Sequence, residues 1–493
     1  MSLSPSSALI GAPYENSYGA IAGAAYLFDL TTGRLQFELQ PEERNPEEGV
    51  RVPDGGSKFG FAVALPTGDH SADSALDLVL VGAPSSYTTC VKAGAAYLFS
   101  AVTGAQTAKL IASDCTGTDE FGYSVAIHAG LAIIGARLHQ NGGTSSGAIY
   151  VFDCGTGVQQ RKIVPSRLES LAMFGASVAA HSGLMLVGSP KEDTTAVDSG
   201  AVYVYDVVSG DLRRKLVPPS ATINSRFGAS VATFNGAAIV GSPMHTAWRG
   251  AAHLFADATS SAGPTELAAL GLMAGDAYGS SVALGADVAI VGAPSARSQN
   301  GAGSGYAILF HGIGGNSSAR RVLTSWDGDA DDNFGVSAAI LGDSMLLGAQ
   351  GHVNSEGSLL NGAAYLFRPA PSPPPPVTPP PPPPSPPNPE LFASPASPPA
   401  SSDTYFIFVA IGAASIIVLL TVSLTCFFAR TYRERLKDAH ARFSKRWVRT
   451  LPGYQGPVVR DAGVSQVARA RPGQMQRVQS RTWHGGRLVE VRQ

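Results

Sequence analysis

A block of the form Gly-Ala-Ala-Tyr-Leu-Phe, or a close variant, recurs seven times, starting at Gly23, Gly94, Gly147, Gly200, Gly250, Gly305 and Gly362. A Gly-Ala-Pro-like block precedes each copy, its glycine at Gly11, Gly82, Gly135, Gly188, Gly241, Gly292 and Gly348. Aromatic-Gly pairs stand ahead of these at Phe59, Phe121, Phe174, Phe227, Tyr278 and Phe334. A spacing of about 50 to 60 residues, held along a chain, marks a propeller or solenoid and outranks local propensity.

Each repeat reads as four strands. Phe-Gly-x-Ser-Val-Ala alternates, as a half-buried strand does. The run before Gly-Ala-Pro is wholly apolar and short (78–81, 131–134, 288–291), which suits a strand buried on both faces. Gly-Ala-x-Tyr-Leu-Phe is an aromatic-rich third strand. A Thr-Gly or Ser-Gly turn then leads to a fourth run ending in Lys-Leu, as at Lys109-Leu110 and Lys215-Leu216. Four strands make one blade, and seven blades close a ring. The expected fold is therefore all-β, a seven-bladed β-propeller over residues 1–368. The 56 glycines sit at fixed repeat positions, so they are structural and do not signal disorder. Small residues let blades approach, and the aromatics fill the wider outer gap.

Phe59-Gly60, Phe121-Gly122, Phe174-Gly175, Phe227-Gly228 and Phe334-Gly335, with Gly82-Ala83-Pro84, Gly188-Ser189-Pro190, Gly241-Ser242-Pro243 and Gly292-Ala293-Pro294, carry a family resemblance. The pattern resembles the FG-GAP repeat of the integrin α-subunit β-propeller, over about residues 8 to 368. The chain departs from a complete integrin α subunit, because a proline tract takes the place of the β-sandwich domains between propeller and membrane. In integrin-like propellers an N-terminal strand completes the last blade. Here the first unit opens at its Gly-Ala-Pro strand and the last stops at Phe367, so one strand of each is missing. We expect the sequence to lack an N-terminal piece holding a signal peptide and the closing strand. The alternative is a frayed first blade.

The resemblance also implies a Ca²⁺ loop of the form DxDxDGxxD. Its match is Asp69, Ser71, Asp73, Ala75 and Asp77, where alternate residues turn oxygens inward for a hard cation. Ser71 replaces an Asp and Ser74 the Gly, which leaves a plain solvated acidic loop as the alternative. Residues 327–332 are also acidic (Asp327, Asp329, Asp331, Asp332), but acids recur just before the aromatic-Gly pair, at Asp119 and Asp276. That recurrence points to a turn role. Cys90 and Cys115 are a candidate disulfide of a secreted domain, with Cys154 left over. Asn316-Ser317-Ser318 is an open glycosylation sequon.

Residues 369–403 are a Pro-rich extracellular linker, a stiff polyproline II rod. Residues 405–429 carry no charge and exceed the roughly 20 apolar residues that span a bilayer. Residues 430–493 hold 15 basic and 4 acidic residues, a short disordered basic tail. The positive-inside rule places this tail in the cytoplasm, lying on anionic lipid, and the propeller outside, in a single-pass type I plasma-membrane protein. Cys426, at the inner boundary, is a candidate palmitoylation site.

Catalysis finds no support in the sequence. Gly-x-Ser-x-Ala recurs in register at Ser124, Ser177, Ser230 and Ser281, which makes it a strand position and not a nucleophile elbow. There is no phosphate loop or dinucleotide fingerprint, and no nucleic-acid partner is expected. His253 replaces the third-strand Tyr. Two functions remain: an adhesion or recognition receptor for an extracellular protein or glycan, and a structural wall-to-membrane tether with the rod as its working part.

Overall fold

The computed structural model describes residues 1–16, 21–42, 56–66, 77–88, 90–141, 144–166, 169–220, 222–269, 271–313, 319–353, 362–369, 479–484 and 487–490. Asp69, Ser71, Asp73, Ala75, Asn316 and Cys426 lie outside the described residues. So do nearly all of the linker, the apolar stretch 405–429 and most of the basic tail. Among the described residues no helix is long and apolar enough to cross a membrane.

Seven sheets, each built around four strands ordered inner to outer, form a seven-bladed propeller. The apolar runs are the second strands: Ser7–Ala12, Leu78–Ala83, Leu131–Ala136, Leu184–Ser189, Ala237–Ser242, Val288–Ala293 and Ser344–Ala349. The aromatic blocks are the third: Ala24–Asp29, Ala95–Ser100, Ala148–Asp153, Ala201–Asp206, Ala251–Phe255, Tyr306–His311 and Ala363–Pro369. Both central strands are almost wholly buried, as continuous apolar runs demand.

The motif glycines make the ring. Each aromatic-Gly pair bridges in parallel to the glycine of the preceding blade's third strand, as in Gly94 to Phe121 and Gly147 to Phe174. Gly122 lies at φ +89, a left-handed conformation that only glycine takes without strain. Its carbonyl backs onto Gly82 of the preceding blade so closely that a Cβ on Gly82 would run into that oxygen. The Ser of Phe-Gly-x-Ser then stitches the seam. Ser124 Oγ donates to Gly175 O at 2.8 Å, Ser177 to Gly228 O at 2.8 Å, Ser230 to Gly279 O at 2.8 Å and Ser281 to Gly335 O at 2.7 Å. In urea unfolding, Ser177→Ala is expected to lose about 1 kcal/mol, the worth of one such bond. No loss would mean that the seam does not depend on it.

Each Phe of the pair packs against two third-strand rings of its own blade, edge-on except for the tilted Phe227–His253 contact. Phe121 lies 5.5 Å from Tyr150 and 5.9 Å from Phe152, and Phe334 lies 5.3 Å from Tyr365 and 6.2 Å from Phe367. The aromatics thus fill the outer part of the gap that the glycines close at the centre.

Two readings of the chain ends need correction. Blade one does have an inner strand, Ser2–Leu3, which pairs with Ala8 and Leu9. Leu3 packs with Ile10, Tyr26, Leu346 and Leu366, a core shared by blades one and seven. Nor is the tail featureless. Gln479–His484 pairs with the third strand of blade seven and continues into Arg487–Glu490. Among the described residues no antiparallel run follows Pro369 at that edge, and an open edge takes up a strand. The pairing is parallel, whereas the outer strands of the other six blades are antiparallel.

The third-to-fourth turns share one device. In blade four, Asp206 Oδ1 accepts the backbone N–H of Ser209 at 2.9 Å and of Val208 at 3.0 Å, and Oδ2 accepts from Arg213 at 2.8 Å. These bonds, the Ser209 amide first, hold its pKa down to about 2. Asp29, Asp153 and Asp257 are lowered by the same Asx-type turn, chiefly through Thr32, Thr156 and Thr259. A depressed carboxylate stabilises the fold above its unfolded value near 4 and loses that contribution as pH falls through the folded one. The melting temperature is therefore expected to drop between about pH 4 and pH 2, and less steeply in Asp206→Asn. An unchanged profile in the variant would refute the assignment.

Candidate functional site

The second-to-third-strand loops carry one column of side chains that meets two others. In every blade the carbonyl four residues after the Gly-Ala-Pro glycine accepts the N–H of the third-strand glycine: Ser86 from Gly94, His139 from Gly147, Glu192 from Gly200, His245 from Gly250. The side chain at this position is therefore held over the third-strand Tyr. That Tyr in turn faces the Lys of Lys-Leu, in the pairs Tyr97–Lys109, Tyr150–Lys162 and Tyr203–Lys215.

In blades two to four these columns satisfy one another. Ser86 Oγ and Tyr97 OH are 3.2 Å apart. Tyr203 OH donates to Glu192 at 2.8 Å, and Lys215 pairs with the same carboxylate. In blade three, Lys162 Nζ lies 2.8 Å from His139 Nε2 and 2.7 Å from Asp114, to which Tyr150 OH donates. A charged Lys donates, so Nε2 accepts and the ring's proton sits on Nδ1, which gives it to Asp119 Oδ2 at 2.9 Å. Burial, then the bond to Asp114, pushes the Tyr150 phenol far up.

The acids before the aromatic-Gly pair act in the turn, as their recurrence suggested. Asp119 accepts from Thr116 N at 2.7 Å, Asp276 from Met273 N at 2.7 Å and Asp332 from Asp329 N at 2.9 Å. Asp332 also takes His352 Nδ1 at 2.9 Å, and Asp327 takes Tyr365 OH at 2.8 Å. Among the described residues no three His, Cys, Asp or Glu side chains gather to hold a metal. Asp77, the last residue of the Ca²⁺ candidate loop, is exposed, and its carbonyl accepts the N–H of Ala101. Cys90 and Cys115 form a disulfide with Cα atoms 6.1 Å apart, and Cys154 is buried.

Blade five keeps a His in the first column, His245, as blades three and seven do with His139 and His352, but departs in the other two columns. His245 stands over His253 where Tyr is usual, and His253 faces Glu266, where blades two to four have Lys and blade one has Glu38. Its loop from Gly241 to Gly250 is three residues shorter than that from Gly82 to Gly94. The shortening forces Thr246, Ala247 and Trp248 into left-handed backbone at φ 48, 59 and 63, a strained run for non-glycine residues. An imidazole reaches less far than a phenol, and the shorter loop covers less. Under the shortened loop lies a cavity of about 280 Å³ lined by His245, Thr246, Arg249, Glu266, Leu272 and Tyr278; His253 is not part of its wall. Tyr278 OH is engaged, donating to Leu267 O at 2.7 Å. Behind it His253 is 5 % exposed, and its Nδ1 has no hydrogen-bond partner. Burial first, then His245, holds the His253 pKa down to about 4, so the ring is neutral. Reading His253 alone as a Tyr replacement missed Glu266 and His245. The signal was in the sequence, in the three columns aligned together.

Four stretches, 105–152, 158–205, 265–310 and 318–367, match the family model for the FG-GAP repeat. The propeller carries four FG-GAP repeats. Each matched stretch starts on one blade's outer strand and ends on the next blade's third strand, so the FG-GAP unit straddles the seam. Between residues 105 and 367 the matches pass over 206–264, which holds the inner, second and third strands of blade five. No curated protein matches the chain. Among solved structures, one described as "Structure of U3-55K" is similar at 12% identity and TM-score 0.42, covering 66% of this chain and 82% of that one.

Proposed function

We propose that the FG-GAP propeller is the extracellular ligand-binding domain of a single-pass plasma-membrane protein, and that it binds a protein or glycan through its loop face. The observation that carries this reading is the order along the chain. A disulfide-bonded propeller is followed by a proline rod, 25 uncharged residues (405–429) and a basic cluster at 430–449. Loops at one end of a rigid scaffold are where binding residues collect. Beside the blade-five cavity, that face presents Tyr14, 61 % exposed, and Tyr123, over whose ring Arg137 lies 3.6 Å from the centroid. The repeated Ser hydroxyls donate to seam carbonyls, which supports reading them as strand positions and not as nucleophiles. A tether role is favoured by the proline rod alone, and it predicts indifference to loop mutations.

Membrane topology tests the reading. Pairing of Gln479–His484 with blade seven requires the C-terminus on the propeller's side, whereas the proposal puts it across the membrane. In intact cells, external protease should remove the propeller and leave a C-terminal tag protected. A tag cleaved from outside would overturn the proposed topology. For the blade-two loop, we expect Ca²⁺ to raise the melting temperature and Asp73→Ala to abolish the rise. Equal melting with and without Ca²⁺ would remove the metal.

A further inference from the structure

We propose that the blade-five cavity is a sugar-binding pocket for the terminal pyranose of a glycan. The inference rests on the binding role given above and names the ligand class and the site.

Three observations carry it. First, the cavity has unspent polar groups of both signs. Among the described residues neither Arg249 nor Glu266 has a hydrogen-bond or ion-pair partner, although both line the same space. An anion would meet the Glu266 carboxylate, and a cation would meet the Arg249 guanidinium. Neutral hydroxyls satisfy both, because each one donates and accepts. His245 and Thr246 add further polar groups to the wall. Second, the space suits one ring. The cavity of about 280 Å³ stands at the small end of the range for small-molecule sites. Third, Trp248 lies between the lining residues Thr246 and Arg249, is 54 % exposed, and is held on the strained turn. A rigid exposed indole offers the flat apolar surface on which the C–H face of a pyranose packs. Strain kept in a short loop beside a cavity is itself a feature of binding sites.

The repeat supplies the control. Blades one, two, three, four and seven carry Tyr where blade five carries His253, and Tyr26, Tyr97, Tyr150, Tyr203 and Tyr365 are all buried in their blades. His253→Tyr restores the residue those blades have and extends a longer ring toward the cavity from behind its wall. It is expected to fold.

The test uses the full chain in detergent. Methyl α-mannoside, methyl β-galactoside and methyl N-acetyl-β-glucosaminide are titrated by calorimetry and by saturation-transfer NMR, with glycylglycine as a zwitterionic probe. At least one sugar should bind saturably. Its affinity should fall about tenfold or more in Trp248→Ala, whose exposed side chain carries no fold, and be lost in His253→Tyr, with melting temperatures unchanged or raised. Absence of saturable binding by all three sugars overturns the proposal, as does unchanged binding in both variants. Binding of glycylglycine in place of the sugars overturns it in favour of a peptide terminus. Protease protection reads the membrane topology without any sugar, so failure of the pocket and failure of the receptor reading are told apart.

Discussion

Gly82→Ala is expected to destabilise the propeller by about 2 to 4 kcal/mol, although it adds a single methyl group. Gly82 has an ordinary strand backbone, so the cost is steric and not conformational. The new Cβ would run into the carbonyl oxygen, carbonyl carbon and Cα of Gly122 in the next blade. These are backbone atoms that cannot rotate away, and Gly122 is itself fixed by the bridge from Phe121 to Gly94. Relief requires the two blades to part, which strips contacts from the core they share around Leu98, Phe121 and Ile134. Gly263→Ala is the control, since a Cβ there meets nothing within 4 Å. Its effect should stay within about half a kcal/mol. Urea midpoints of the two variants decide the matter. Equal losses would mean that the glycine column is dispensable and that the seam lies elsewhere.

Phe121→Ala is the second large effect, at about 3 to 5 kcal/mol. The ring is 0 % exposed and edge-on to both Tyr150 and Phe152. Its removal leaves a cavity between two aromatics whose backbone is held on both sides by strand pairing. The blade cannot collapse into that space without bending its third strand. Phe121→Leu should recover much of the loss, because it refills volume without the aromatic geometry. If alanine cost under about 1 kcal/mol, the three-ring cluster would not be the blade's anchor.

Strand identity was legible in the sequence because the repeat period, apolar runs and turn residues all agree. The seam was less so. Phe-Gly-x-Ser read as a strand within one blade, and it takes the pairing geometry to show that Gly122 and Ser124 each face a neighbouring blade. Such contacts join residues far apart in the chain and leave no local pattern. The acidic turns were foreseen at Asp119, Asp276 and Asp332 because their recurrence argued against a metal. The inner strand Ser2–Leu3 was missed because two residues without the aromatic-Gly mark carry no periodicity. The blade-five cavity was missed for the opposite reason. It is written as departures from the repeat, at His253, at Glu266 and in the shortened loop before Gly250, and each departure alone looks like drift.

The seam also governs what this fold can tolerate over evolutionary time. Blade five keeps Gly241 against Gly279 and Ser230 on the Gly279 carbonyl, while two of its outer columns, at His253 and Glu266, differ from those of blades two to four. Blade six has gone a different way, with the apolar set Ala296 and Ile308 packed together. Closure of the ring is inherited through backbone contacts near the axis, and side-chain chemistry is held further out. One blade can therefore be re-specialised while its neighbours stay as they are, and a ring of seven such blades carries seven separately heritable positions for trial.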